Sequence, residues 1–160
     1  MIVKTFYWSD EADTAKFAEC LAQHWQKHPA TANLVVLLEG DLGAGKTTLV
    51  RHILRALGVT GRIKSPTYAV VESYVTPCVQ VWHFDFYRFN DPQEWEDAGF
   101  RDIFASYGLK IAEWPSKAQG MLPTADWVIT LVPQTEASRS VTIQANSAAG
   151  AQLLQDIAEQ

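Results

Sequence analysis

Eight consecutive residues, Gly40-Asp41-Leu42-Gly43-Ala44-Gly45-Lys46-Thr47, follow the pattern G-x-x-x-x-G-K-[ST] without departure. The chemistry this spacing can perform is the holding of a nucleotide's phosphates. Glycines let the backbone curl until successive N–H groups point inward and form an anion nest. A helix starting at Lys46 adds the positive end of its dipole. The Lys46 ammonium then reaches the β- and γ-phosphates, and the Thr47 hydroxyl is placed for Mg²⁺. Thr48, one residue on, is expected near the α-phosphate.

A phosphate loop also needs an acid at the carboxyl end of a neighbouring strand to hold Mg²⁺, directly or through water. Asp85 ends the apolar-rich run Val79-Gln80-Val81-Trp82-His83-Phe84-Asp85 and is the candidate. His83 lies two residues before it, hence on the same sheet face. It either orients Asp85 or a water, or it satisfies a backbone group. Arg88 either pairs with Asp85 or a phosphate, or lies free on the surface. A second acid, Glu113 in Ile111-Ala112-Glu113-Trp114-Pro115, also closes a short strand. It orients the attacking water, joins the Mg²⁺ shell, or is simply a helix N-terminal Glu before Pro115, and Trp114 either packs or forms a lid over the nucleotide. Between the loop and Asp85 lies Lys64-Ser65-Pro66-Thr67-Tyr68. Either it is a switch segment that senses the γ-phosphate through a hydroxyl, Thr67 or Ser65, or it is a Ser-Pro turn leading into a strand.

These residues need elements to hold them. Ile2–Trp8 reads as a short strand, and Ser9 or Asp10 caps a helix running to about Lys27. Its Ala15, Ala18, Leu21, Ala22 and Trp25 share one side, and residues 29–33 break it. Leu34–Glu39 is a continuous apolar run, as in a strand buried on both faces. The helix over 46–57 places Leu49, Val50, Ile53, Leu54 and Leu57 on one face, and Gly58 follows as its terminator. Runs 67–75 and 79–86 flank Thr76-Pro77 and predict a hairpin. Asp91 and Pro92 open one further helix carrying Trp95, Ala98, Phe100 and Ile103. Strands are expected over 109–112, 127–132 and 140–145, a helical turn from Pro115, and a closing helix over 152–158. Strands alternating with helices predict an α/β, P-loop NTPase-like fold: a mainly parallel central sheet flanked by helices, with antiparallel edge strands. With no linker in sight, residues 1–160 read as a single domain.

Composition narrows the function. The formal net charge of −5 argues against a chain that grips nucleic acid by itself. Two distant cysteines, Cys20 and Cys78, suit a reducing compartment. No secretory h-region opens the chain, and no apolar run reaches the ~18 residues of a membrane span. The expectation is a soluble cytoplasmic protein. Cys20, His24 and His28 recur every four residues on one helix face, but the set lacks a fourth metal ligand and Pro29 follows at once. No Asn-Lys-x-Asp guanine-reading loop follows a late strand, so the nucleotide is read as ATP. No arginine-dense lid or acceptor site for a kinase is legible. A compact ATPase acting on a partner remains, with a small-molecule kinase and a nucleotide-gated binding module without turnover as the alternatives.

The ordered set GDLGAGKTTL, SPTY, HFDFYR and AEWP resembles the TsaE family, the ATPase component of the bacterial machinery that makes threonylcarbamoyladenosine at position 37 of certain tRNAs. The phosphate loop alone is common to many families; its combination with the other three motifs is far more specific. The resemblance runs from the N-terminal helix to about Val132. It implies that Gly40, Asp41, Leu42, Gly43, Ala44, Gly45, Lys46, Thr47 and Thr48 hold ATP, with Thr47 on Mg²⁺. It implies that Asp85 is the Walker B-like acid, that Glu113 completes the metal and catalytic site, and that Thr67 lies in the switch-like loop. It further implies a TsaB–TsaD heterodimer as partner, reset between turnovers by ATP hydrolysis. The tRNA would then be reached only through that complex, and no membrane is involved.

Overall fold

In the computed structural model, residues 1–158 are described, and positions 159 and 160 of the expected single domain lie outside the described residues. Seven strands form one sheet in the order β1-β7-β6-β2-β5-β4-β3. They are β1 Ile2–Trp8, β2 Leu34–Glu39, β3 Val71–Val75, β4 Gln80–Asp85, β5 Leu109–Glu113, β6 Trp127–Pro133 and β7 Arg139–Ala145. The pairs β2–β5, β2–β6 and β4–β5 are parallel, and β1–β7, β6–β7 and β3–β4 are antiparallel. The expected parallel centre with antiparallel edges is what the chain forms.

The two-residue period of the strands sorts the core into two layers. Leu34, Val36 and Leu38 of β2, Ile111 of β5 and Trp127 and Ile129 of β6 face one side. There they meet α1 (Glu11–Lys27), α2 (Lys46–Ala56) and α5 (Ala148–Ala158). Val35 of β2, Phe84 of β4 and Ala112 of β5 face the other side. That layer is aromatic, with Phe84 stacked on Phe104 at 4.6 Å and Trp95 on Phe104 at 5.5 Å between ring centroids. Its helices are α3 (Pro92–Asp97) and α4 (Phe100–Ala105).

Local chemistry sets the helix limits. The Asp10 carboxylate accepts the Ala12 and Asp13 N–H groups and so caps α1. The helix α2 buries Leu49, Val50, Ile53 and Leu54, as its periodicity requires, with Leu57 buried just past its end. Leu54 is fully buried and anchors the helix that follows the glycine-rich loop. Leu54→Ala is expected to lower stability by about 3–5 kcal/mol, read as an earlier urea midpoint with an unchanged m-value.

Several expected boundaries move. The helix expected from Pro92 through Ile103 is two helices, because Gly99 takes a left-handed φ of 70° and turns the chain between them. The run 67–75 is a strand only from Val71; residues 67–70 form a turn closed by Val70 N–H donating to the Pro66 carbonyl at 2.7 Å. The closing helix begins at Ala148 rather than 152. The segment 27–33, which has no motif, contains a short 3₁₀ helix, Pro29–Ala32. Its Asn33 side chain accepts from Gly108 N–H at 3.0 Å and from the buried Lys110 ammonium at 3.2 Å, so the segment closes the pole of the sheet opposite the phosphate loop. Among the described residues, no helix is long and apolar enough to cross a membrane.

Candidate functional site

The strand order puts three carboxyl ends side by side, β2, β5 and β4, and each delivers a motif residue. Gly40 follows β2, Glu113 ends β5 and Asp85 ends β4, with Asp85 and Glu113 in direct register. Open α/β sheets bind ligands in the crevice outside such ends. His83, Asp85 and Glu113 share the parity of Val81, Leu109 and Ile111, so all three turn to the face covered by α2. Two acids distant in sequence thereby lie under the first turn of one helix.

The loop itself is tightly placed. A Cβ on Gly40 would stand 2.7 Å from the Leu131 carbonyl oxygen, and one on Gly45 would stand 2.7 Å from Arg139 Nε. Gly45 also takes φ 103°, so that position needs glycine on two counts. Lys46 is 5% exposed and folds back on its own loop, where its ammonium donates to the Gly40 carbonyl. The same ammonium lies 3.6 Å from the centroid of the Trp114 ring, a cation–π contact. Burial pushes the Lys46 pKa down, against the pull of Glu113, Asp85 and Asp41 in the other direction. A desolvated cation held in the bend of a glycine-rich loop gains from the arrival of an anion.

Around one cavity of about 270 Å³ the structure gathers Leu42, Gly43, Ala44, Gly45, Lys46, Thr47 and Thr48 of the loop with Thr67, Asp85, Glu113, Trp114 and Arg139. The Thr47 hydroxyl donates to the Glu113 carboxylate, at 2.9 Å to Oε1 and 3.1 Å to Oε2. Thr67 donates to Asp85 Oδ2 at 3.3 Å, and Tyr87 N–H donates to Asp85 Oδ1 at 2.9 Å. Ser65 lies 2.8 Å from the Thr67 hydroxyl and so acts through it.

These contacts locate three side chains whose partners the motifs left open. His83 serves Glu113 rather than Asp85: its Nε2 lies 2.6 Å from Oε2 with both side chains almost fully buried. A carboxylate offers only acceptors, so Nε2 carries the hydrogen, and Nδ1 has no partner. Arg88 pairs with neither Asp85 nor the loop; its guanidinium lies over Tyr68, 4.5 Å from the ring centroid. Trp114 takes a left-handed backbone, φ 55° and ψ 51°, at a cost of about 1–3 kcal/mol. That conformation turns the indole over Lys46 and against Tyr87, 5.0 Å between ring centroids.

Does this donor set suit Mg²⁺? Among the described residues, no group of three His, Cys, Asp or Glu side chains is arranged to hold a metal ion. Mg²⁺ does not require one; it takes one or two carboxylates and fills its octahedron with phosphate oxygens and water. A threonine hydroxyl keeps a lone pair while donating its hydrogen, so Thr47 remains available as a ligand beside Asp85 and Glu113. Cys20, His24 and His28 are not gathered into such a group among the described residues either. His24 is buried beside Asp156 at 3.7 Å and His28, 5.0 Å away between ring centroids.

One site residue has no local signature in the sequence. Arg139, at the start of β7, donates through Nε to the Ala44 carbonyl at 2.6 Å, and so braces the loop from across the sheet. The antiparallel pairing of β6 with β7 brings it there, 95 positions along the chain from Ala44.

Comparison with known proteins places the chain among relatives. The family model for "Threonylcarbamoyl adenosine biosynthesis protein TsaE" matches residues 8–141. The tRNA threonylcarbamoyladenosine biosynthesis protein TsaE of Haemophilus influenzae is 42% identical over 127 residues, 79% of this chain and 80% of that one. The protein of the same name from Bacillus subtilis is 34% identical over 111 residues, 69% of each chain. The crystal structure of Bacillus subtilis YdiB superposes with a TM-score of 0.78 over 99% of this chain and 97% of that one, at 24% identity, which speaks for the fold.

Proposed function

The chain belongs to the TsaE family of tRNA threonylcarbamoyladenosine biosynthesis, and from that premise we propose that it is a Mg²⁺-dependent ATPase that resets a TsaB–TsaD transferase between turnovers. The observation that carries this reading is the meeting of Lys46, Thr47, Thr67, Asp85 and Glu113 around one cavity. Binding and hydrolysis need little more than positioned charge, because phosphoryl transfer is catalysed mainly by orientation and electrostatics.

In this proposal backbone N–H groups of the loop, among them those opening α2, hold the phosphate oxygens, and Lys46 exchanges the Gly40 carbonyl for the β- and γ-phosphates. Thr47 and Asp85 would hold Mg²⁺, which would neutralise phosphate charge. Glu113 is pinned from two sides, by Thr47 and by His83. Its carboxylate has about four acceptor sites, so one stays open to orient a water against the γ-phosphorus. The water oxygen forms the new P–O bond, its proton passes to the Glu113 carboxylate and on to solvent, the bond to the β–γ bridging oxygen breaks, and ADP and phosphate leave. Thr67 follows the γ-phosphate through Asp85 and so links the 64–68 segment to the state of the nucleotide. The acidic chain leaves the tRNA to its partners, consistent with a net charge of −5.

A second reading has one feature in its favour. A cleft of about 360 Å³ opens on the far side of Lys46, lined by Gly40, Asp41, Trp114, Pro115, Ser116 and Thr130. An acceptor seated there would face the γ-phosphate and make the chain a small-molecule kinase. Incubation with γ-labelled ATP, with and without a purified TsaB–TsaD pair, separates the readings. Free labelled phosphate that rises with the pair is the expected result. Label recovered on a metabolite favours the kinase, and no release in either mixture favours a binding module without turnover.

A further inference from the structure

His83 is 1% exposed, yet it is absent from the walls of the cavity that Lys46, Asp85 and Glu113 line. Its Nε2–H reaches one oxygen, Oε2 of Glu113, at 2.6 Å, and its Nδ1 has no partner. We propose that His83 is a positioning residue for hydrolysis: its N–H fixes the rotation of the Glu113 carboxylate and so aims Oε1 at the attacking water. The inference rests on the hydrolysis reading above and deepens it by naming the group that aims its carboxylate.

A glutamate carboxylate turns easily, because the torsion that ends at its sp² carbon is broad and two-fold. The Thr47 hydroxyl does not choose an orientation for it. It lies 2.9 Å from Oε1 and 3.1 Å from Oε2, so the two oxygens are nearly equivalent to it. His83 touches Oε2 alone and breaks that symmetry. Oε2 then meets two donors, and Oε1 keeps the free acceptor site. The two supports also differ in what a nucleotide would do to them. Thr47 lines the cavity in the first turn of α2, where an incoming Mg²⁺ would draw on its oxygen. His83 stands inside β4, paired with Glu72 of β3 on one side and Ile111 of β5 on the other. A strand held along both edges is a rigid mount, so the His83 N–H is the support that persists when the loop is filled.

Single-turnover release of labelled phosphate, paired with calorimetry in Mg²⁺–ADP, tests this on the full chain. His83→Phe keeps a ring and removes the donor. Release is expected to slow by about 10–100-fold, the scale of losing a group that orients an active-site carboxylate, while ADP affinity holds. His83→Gln returns an Nε2–H at similar reach and is expected to recover most of the rate. His83→Asn carries the same amide on a shorter stem and is expected to stay slow. The contrast between these two variants decides the matter if His83→Phe does not fold. A folded His83→Phe chain that releases phosphate at the wild-type rate overturns the role, as does a Gln variant no faster than the Asn variant. Parallel loss of rate and ADP affinity makes His83 a prop for the whole pocket and overturns it too. A wild-type chain that binds ADP and releases no phosphate, alone or with its partners, removes the hydrolysis reading itself and this proposal with it.

Discussion

Lys46→Ala is expected to remove detectable ATP binding while the chain still folds. The ammonium is the single positive group buried at the centre of the loop, and its present partners, the Gly40 carbonyl and the Trp114 ring, are weak substitutes for a phosphate anion. Each charge-assisted contact is worth about 1.5–3 kcal/mol. Two of them, to the β- and γ-phosphates, therefore account for a loss of about a hundredfold or more. Folding is not expected to suffer in proportion. The chain holds Lys46 against the cost of burial, which is why its pKa lies below the usual lysine range. Alanine removes that cost together with the contacts. Calorimetry with Mg²⁺–ATP, paired with an unfolding curve without ligand, separates loss of binding from loss of fold. A Lys46→Ala chain that bound ATP as tightly as the wild type would sink the phosphate-site assignment.

The second large effect is on turnover rather than binding. Glu113→Ala and Asp85→Ala are each expected to lower phosphate release by about 10²–10⁴-fold, the range of a lost general base or charge-positioning group, with nucleotide still bound. The two differ in what they leave behind. Removing Glu113 strands the buried His83 Nε2 and the Thr47 hydroxyl, so a stability loss of about 1–3 kcal/mol is also expected. Glu113→Gln keeps the shape and an acceptor oxygen for Thr47, and should recover much of that stability without recovering the rate. Asp85 accepts from the Thr67 hydroxyl and the Tyr87 N–H at its rim, and its loss should loosen the 64–68 turn rather than the core. Single-turnover release of labelled phosphate reads the rate. Hydrolysis by Glu113→Ala at the wild-type rate would falsify its catalytic assignment.

Much of the fold follows from short-range patterns. The apolar run of β2, the amphipathic α2 and the glycine-rich turn between them depend on neighbours within a few residues, and all three form where expected. The single helix expected from Pro92 failed because its apolar spacing continues across Gly99, whereas the left-handed backbone there does not. The strand expected from Thr67 failed similarly. Its β-rich composition extends to Thr67, but Val70 takes a φ of 69° and the pairing with β4 begins at Val71.

By itself the sequence determined the glycine-rich loop between β2 and α2, because such a turn is built from the backbone of consecutive residues and its glycines are readable one by one. It determined equally that Asp85 and Glu113 close strands, because an acid after an apolar run is a local signal. Only the tertiary structure decided which partner each takes. Strand order and register place Glu113 beside the loop strand, between Thr47 and His83, and leave Asp85 to Thr67. The same is true of Arg139, whose type and neighbours are unremarkable until β7 pairs with β6 and carries its guanidinium to the Ala44 carbonyl. Such contacts are set by hydrogen-bonded pairing between distant segments, and no spacing along the chain encodes them.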